Sequence, residues 1–228
     1  MALVTDMAEL AHRPVVLFDF DGTVVDTAPA ITSLASAIMV EHGVPRAAQG
    51  DLMRMVGPPL EEGFAVCGGF DAATSDALAK EYRRRFARDV TPEEYPVIPG
   101  IRELLDALVA AGRRLAVATS RMEDSAQGMV EAQGLTQFEV VAGRRPAIGR
   151  ETKAQSIRAA LEALGVPSGD AVMVGDREHD AAGAHAEGVP CIGFYSGTAS
   201  PGEFERAGAE AVCTSVAQIA ETLGVALA

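Results

Sequence analysis

Hydrophobic positions along the chain fall into two regimes. Between residues 29 and 95 they recur at helical spacing: Ile31, Leu34, Ile38 and Met39 in one stretch, and Leu78, Tyr82 and Phe86 at four-residue steps in another. Beyond residue 96, short apolar runs alternate with helical patterns. The runs 115–118, 138–142, 171–174, 191–194 and 211–213 read as strands. The stretches 101–111, 123–133, 153–164, 180–187 and 216–223 read as helices, three of them followed by Gly134, Gly165 or Gly188. Ahead of both regimes stands Val15-Val16-Leu17-Phe18, a continuous apolar run of the kind found in strands buried on both faces.

Strand alternating with helix predicts βαβ units, a mostly parallel sheet and an α/β fold. One connection is too long for that scheme. A crossover needs about a dozen residues or more, yet roughly ninety separate the first strand from Leu115. The excess is the helical block, predicted as helices over 29–42, 48–56, 60–66 and 71–90, with Thr27 or Asp26 capping the first and Pro29 in its first turn. The expected organisation is therefore an α/β core built from 1–28 and 97–228, with an all-helical cap inserted at 29–96. Ligands of open α/β sheets bind beyond the carboxyl ends of the strands. The insert leaves from that end of the first strand and is expected to serve as a lid.

Composition narrows the function. The formal net charge of the 228 residues is −13, which argues against nucleic acid as a partner. It does not argue against a small anionic substrate, because the local field of a cleft decides that. Cys67, Cys191 and Cys213 show neither zinc spacing nor a disulfide framework and suit a reducing cytoplasm. The first thirteen residues carry Asp6 and Glu9 and lack a long apolar run, so no signal peptide or membrane anchor is expected there.

The candidate chemistry sits where apolar runs end. Val15–Phe18 leads into Asp19-Phe20-Asp21-Gly22-Thr23, and 115–118 into Thr119-Ser120-Arg121. The run 171–174 leads into Gly175-Asp176-Arg177-Glu178-His179-Asp180. Lys153, one of two lysines in the chain, opens the helix before that last strand. If these strand ends are neighbours, Asp19, Asp21, Asp176 and Asp180 gather in one place and require a cation. Mg²⁺ is the natural choice for an all-oxygen site that shares a phosphate. The hydroxyls and N–H groups at Thr119 and Ser120, with the Lys153 ammonium, suit phosphate oxygens.

This set resembles the haloacid dehalogenase-like phosphohydrolases. The matching motifs are Asp-x-Asp-Gly-Thr (Asp19 to Thr23), Thr119, Lys153 and Gly-Asp-x-x-x-Asp (Gly175 to Asp180), in the family's order. The helical insert, Gly57-Pro58-Pro59-Leu60 and Pro99-Gly100 resemble the phosphoglycolate phosphatase-like branch, with its small helical cap on a Rossmann-like three-layer core. Where many relatives place a proline after the lysine, Ala154 stands here. The resemblance implies that Asp19 is the nucleophile and Asp21 the general acid and base. Asp19, the Asp21 main-chain carbonyl and Asp176, with Asp180 close by, would hold Mg²⁺. Thr119, Ser120 and Lys153 would hold the transferring phosphoryl group. The implied protein is a cytoplasmic Mg²⁺-dependent phosphatase, monomeric or homodimeric. Its substrate would be a small phosphorylated metabolite such as phosphoglycolate, a sugar phosphate or a nucleotide. A phosphomutase of the same fold is the alternative enzyme, and a non-catalytic regulatory protein the alternative from another class. Arg54, Arg177 and His179 are left open between substrate, metal shell and surface.

Overall fold

The computed structural model describes residues 7–227. The chain forms two compact units, one of residues 26–96 and the other of the segments on either side of it.

The larger unit is built on a sheet. Its elements are α1 (Met7–Leu10), β1 (Val15–Phe18), α5 (Ile101–Ala110), β2 (Arg114–Met122), α6 (Glu123–Ala132), β3 (Phe138–Arg144), α7 (Lys153–Leu164), β4 (Ala171–Gly175), α8 (Glu178–Ala186), β5 (Cys191–Phe194), α9 (Glu203–Ala207), β6 (Ala211–Cys213) and α10 (Val216–Thr222). Among the described residues the six strands run in the order β3-β2-β1-β4-β5-β6. Every pairing is parallel, with Val15 opposite Arg114 on one side and Ala171 on the other.

Burial on both faces explains the unbroken apolar runs. Val15 and Leu17 of β1, Ala116 of β2 and Met173 of β4 pack against Ile157 and Leu161 of α7 and Ala181 of α8. Residues of the opposite parity, Val16, Phe18, Val117 and Val174, point to the other face and are fully buried as well. Both faces are therefore covered, as a parallel sheet requires. The order places β1 between β2 and β4, so the carboxyl ends of all three lie side by side. Helix boundaries follow local chemistry. Thr152 and Gln155 form a capping box that starts α7 at Lys153, and Gly165 ends it in the left-handed conformation at φ 68°.

The smaller unit is helical. It holds α2 (Ala28–Glu41), α3 (Leu60–Gly68) and α4 (Ala72–Asp89), around a core that includes Ile38, Met39, Met55, Phe64, Leu78 and Tyr82. Asp71 caps α4 by accepting from the Thr74 N–H at 2.7 Å. The helix expected over 48–56 is absent. Two separate 3-10 turns, Arg46–Ala48 and Leu52–Met55, stand there, because Gln49 and Asp51 are extended and Asp51 caps the second turn through the Met53 N–H. The expected side-chain cap at Thr27 also fails: Thr27 precedes α2 but its hydroxyl makes no capping bond. Val24 and Val25 pair with Val97 and Ile98 in the larger unit, which brings the two crossing points of the chain together.

Candidate active site

The site forms at the carboxyl ends of β1, β2 and β4. Past Phe18 the Asp19 N–H still donates to the Val174 carbonyl at 2.9 Å, so Asp19 extends the β1–β4 ladder by one residue and reaches Asp176. Gly22 then turns the chain at φ 82°. A side chain at Gly22 would be strained by that φ and would overlap the Asp176 carboxylate, so glycine is required twice over. Gly175 has a related constraint, since a Cβ there would overlap the Asp180 side chain.

Asp19, Asp176 and Asp180 converge. Each offers one carboxylate oxygen, and the three oxygens lie within 4.8 Å of one another, all buried. Lys153 lies against two of them: its Nζ is 2.5 Å from Asp19 Oδ1 and 2.7 Å from Asp180 Oδ1. The third Lys153 proton goes to the Ala118 carbonyl at 2.9 Å. An ammonium has three donors, and all three are engaged. Lys153 thus ties the ends of β1 and β2 to α8. Asp180 is fixed from the other side by the Arg177 N–H, which donates to Oδ2 at 3.0 Å. Asp176 accepts from the Thr23 hydroxyl at 2.9 Å and from the Thr198 hydroxyl.

Asp21 is placed differently. Its carboxylate forms a two-point ion pair with Arg121, Nη2 to Oδ1 at 2.6 Å and Nε to Oδ2 at 2.8 Å. It stands outside the Asp19–Asp176–Asp180 group. Thr119 is buried and its hydroxyl accepts from the Arg121 N–H at 3.1 Å, while Ser120 is half-buried. The expected end of the second strand at Ala118 is corrected by the structure. β2 continues to Met122 after a register shift that follows Ala118, where the carbonyl turns to Lys153, so Thr119 does not cap the next helix. Arg177 pairs with Glu203 at 2.9 Å, His179 is half-buried, and Arg54 is an exposed residue of the helical unit.

The electrostatics follow from burial. Burial pushes Asp19 up to about 6, against the pull of Lys153 and with the help of the Asp180 and Asp21 charges. Asp176 is likewise raised well above the ordinary carboxylate range, by burial and then by Asp19 and Asp180, with the two threonine hydroxyls opposing. Burial works to lower Lys153, but the Asp180 and Asp19 charges outweigh it and hold the lysine above its ordinary value. Three buried carboxylates share one buried ammonium. The donor set is all oxygen, close-set and short of positive charge, which fits a hard divalent cation such as Mg²⁺.

A family model described as haloacid dehalogenase-like hydrolase matches residues 16–194, and the converging residues lie within that span. The chain belongs to the haloacid dehalogenase-like hydrolases. It is 33% identical over 219 residues to a 5'-nucleotidase of Pseudomonas aeruginosa, covering 95% of this chain and 99% of that one. It is also 33% identical over 183 residues to a phosphoglycolate phosphatase of Caulobacter vibrioides, covering 78% and 77% of the two chains. A crystal structure of a predicted phosphatase from Clostridium acetobutylicum superposes with a TM-score of 0.83 at 32% identity, over 92% of this chain and 98% of that one. This haloacid dehalogenase-like protein is a phosphoric monoester hydrolase of the phosphoglycolate phosphatase-like branch.

Several residues at the site carry no distinct signal in the sequence. Thr23 is the last residue of the first motif and Arg121 follows Thr119-Ser120, while Thr198 and Glu203 lie outside every motif. The signal that points to Thr198 is positional: Ser196-Gly197-Thr198 is the polar turn after the β5 run, and β5 is the next strand in the sheet beyond β4.

Proposed function

We propose that this hydrolase cleaves a small phosphorylated metabolite through an aspartyl-phosphate on Asp19, with Mg²⁺ as its cofactor. The observation that carries the reading is the convergence of Asp19, Asp176 and Asp180 in a family phosphatase, with Lys153 paired to Asp19 and Asp180. Asp19, Asp176, Asp180 and the Asp21 main-chain carbonyl are the groups that would hold the ion. When bound, Mg²⁺ neutralises carboxylate and phosphate charge and so lowers the cost of bringing two anions together.

The chain's own residues supply the rest. An Asp19 carboxylate oxygen attacks phosphorus, and the bond from phosphorus to the leaving oxygen breaks. Asp21 gives its proton to that oxygen. Asp21 then takes a proton from water as the water oxygen attacks phosphorus, and the bond from phosphorus to Asp19 breaks. Phosphate leaves, and both aspartates return to their starting states. Lys153 holds Asp19 in place and adds positive charge beside the transferring group. Thr119 and Ser120 supply hydroxyl and main-chain donors to phosphate oxygens.

A phosphoglycolate-, sugar phosphate- or nucleotide-like substrate is favoured, on the strength of the relatives named 5'-nucleotidase and phosphoglycolate phosphatase. Three free thiols suit a reducing compartment. The test is phosphate release from a panel of such metabolites, with Mg²⁺ and with a chelator, by the wild type and Asp19→Asn. Activity indifferent to the chelator, or an Asp19→Asn variant as fast as the wild type, refutes the reading.

A further inference from the structure

Asp21 lies two residues after Asp19, near enough for its charge to act on it, yet its carboxylate is not one of the converging three. Four carboxylates at one cation would be the simplest outcome of so short a spacing. The reason it does not arise is visible in the ion pair. Arg121 takes both Asp21 oxygens, at 2.6 and 2.8 Å, and both side chains are nearly buried, at 11% and 10% exposure. A guanidinium presents its N–H groups as a rigid fork that matches a carboxylate in one plane, so the pair fixes direction as well as distance. Arg121 is itself fixed: its main-chain N–H donates to Thr119 Oγ1 at 3.1 Å, and Nη1 reaches Ser125 Oγ at 3.3 Å. The partner is therefore held at the end of β2, on the side of β1 away from β4, where Asp176 lies.

We propose that Arg121 is a positioning residue that keeps the Asp21 carboxylate out of the cation site, so that Asp21 remains a proton-transfer group. Without the fork, the Asp21 carboxylate swings to the cluster and becomes a further ligand. The metal site then gains an anionic oxygen, and the leaving oxygen loses its proton donor. The idea rests on the reading of Asp21 as the acid of the first step. In that step the proton moves from the Asp21 carboxyl to the leaving oxygen as the bond from that oxygen to phosphorus breaks, and the carboxylate left behind is the form a guanidinium fork receives.

The test uses the full chain and the variants Arg121→Met, Arg121→Lys and Asp21→Asn, each checked for folding by its melting transition. Two readouts are taken. Calorimetric titration with MgCl₂ reads cation affinity without turnover. Turnover of an aryl-to-alkyl phosphate series reads the need for a proton donor, because poor leaving groups depend on it and good ones do not. Arg121→Met is expected to bind Mg²⁺ about tenfold more tightly, within the range by which outer groups tune metal sites. Its kcat is expected to fall on the order of a hundredfold for alkyl phosphates and only severalfold for p-nitrophenyl phosphate. Arg121→Lys, with the charge but not the fork, is expected between the wild type and Arg121→Met in both readouts, and it carries the test if Arg121→Met does not fold. A uniform fall in kcat across the series with unchanged Mg²⁺ affinity overturns the proposal, as does a rise in KM alone, which would make Arg121 a substrate contact. If Asp21→Asn shows no dependence on leaving group, the underlying reading of Asp21 fails and not the part given to Arg121.

Discussion

Lys153 Nζ stands 2.5 Å from Asp19 Oδ1, a contact that joins the first turn of α7 to the end of β1 across 134 positions of sequence. The lysine is the one ammonium among three buried carboxylates. Its removal leaves Asp19 and Asp180 without their ammonium partner. Breaking a buried pair of this kind typically costs about 3–5 kcal/mol. Lys153→Met is expected to lose stability of that order in a chelating buffer and to recover more of it on adding Mg²⁺ than the wild type does. Denaturant melts with and without MgCl₂ measure both. Equal recovery in the two proteins would show that the lysine and the cation do not share the same charges.

Gly183 sits on α8 beneath the lysine stem. A Cβ there would come 2.6 Å from Lys153 Cγ and 3.1 Å from the Ala154 main-chain nitrogen. Gly183→Ala must displace Lys153 or part α8 from α7. A misplacement of about an ångström at a reacting centre costs up to a hundredfold in rate, so kcat is expected to fall about tenfold or more, together with about 1–3 kcal/mol of stability from overpacking. Steady-state kinetics and melts of the variant decide. Unaltered kcat would mean the lysine position is not what glycine protects.

Thr23 and Thr198 both donate to Asp176, one from the motif after β1 and one from the loop after β5. Groups that orient a metal ligand typically alter affinity about ten- to a hundredfold. Thr198→Val is expected to weaken Mg²⁺ binding about tenfold and to leave the fold stable. Titration calorimetry reads it directly, and an unchanged affinity removes Thr198 from the site.

Glu203 gives a pH prediction. Burial raises its carboxyl, but the Glu178 and Ser200 N–H groups and Arg177 outweigh it and hold the group below the usual carboxylate range. A group depressed on folding adds stability above its unfolded pKa and loses it as pH falls through the folded one. Glu203→Gln is therefore expected to be less stable than the wild type at neutral pH, by about 1–3 kcal/mol. The gap should close below the ordinary carboxylate range. Urea melts at neutral and acidic pH check the sign; a gap that widens in acid contradicts it.

Much of this architecture is legible in the chain. Val15–Phe18 is strand to the residue, because a run apolar at every position suits a strand covered on both faces. Lys153 opens its helix as read, because Thr152 and Gln155 make a capping box. Residues 48–56 are not legible in this way, since a local apolar pattern around Gln49 and Asp51 is equally compatible with one helix or with the two isolated turns found there. At the site, the carboxylates announced themselves by clustering at strand ends. Their partners did not. Thr198 and Glu203 come from a loop beyond β5 whose sequence is ordinary turn chemistry, and only the sheet order brings it to Asp176 and Arg177. Arg121 was in view but gained its meaning from a contact across 100 positions.

The central claim, that Asp19 carries the phosphoryl group, has a direct measurement. The enzyme is quenched during turnover of a phosphate ester with Mg²⁺ and treated with borohydride, which reduces an acyl phosphate to the alcohol. Peptide mass spectrometry then reads each carboxylate. Homoserine at position 19, absent without substrate and absent in Asp19→Asn, is the predicted result. An enzyme that is turning over yet gives no reduction at Asp19, or gives it at Asp21, Asp176 or Asp180 instead, would contradict the account.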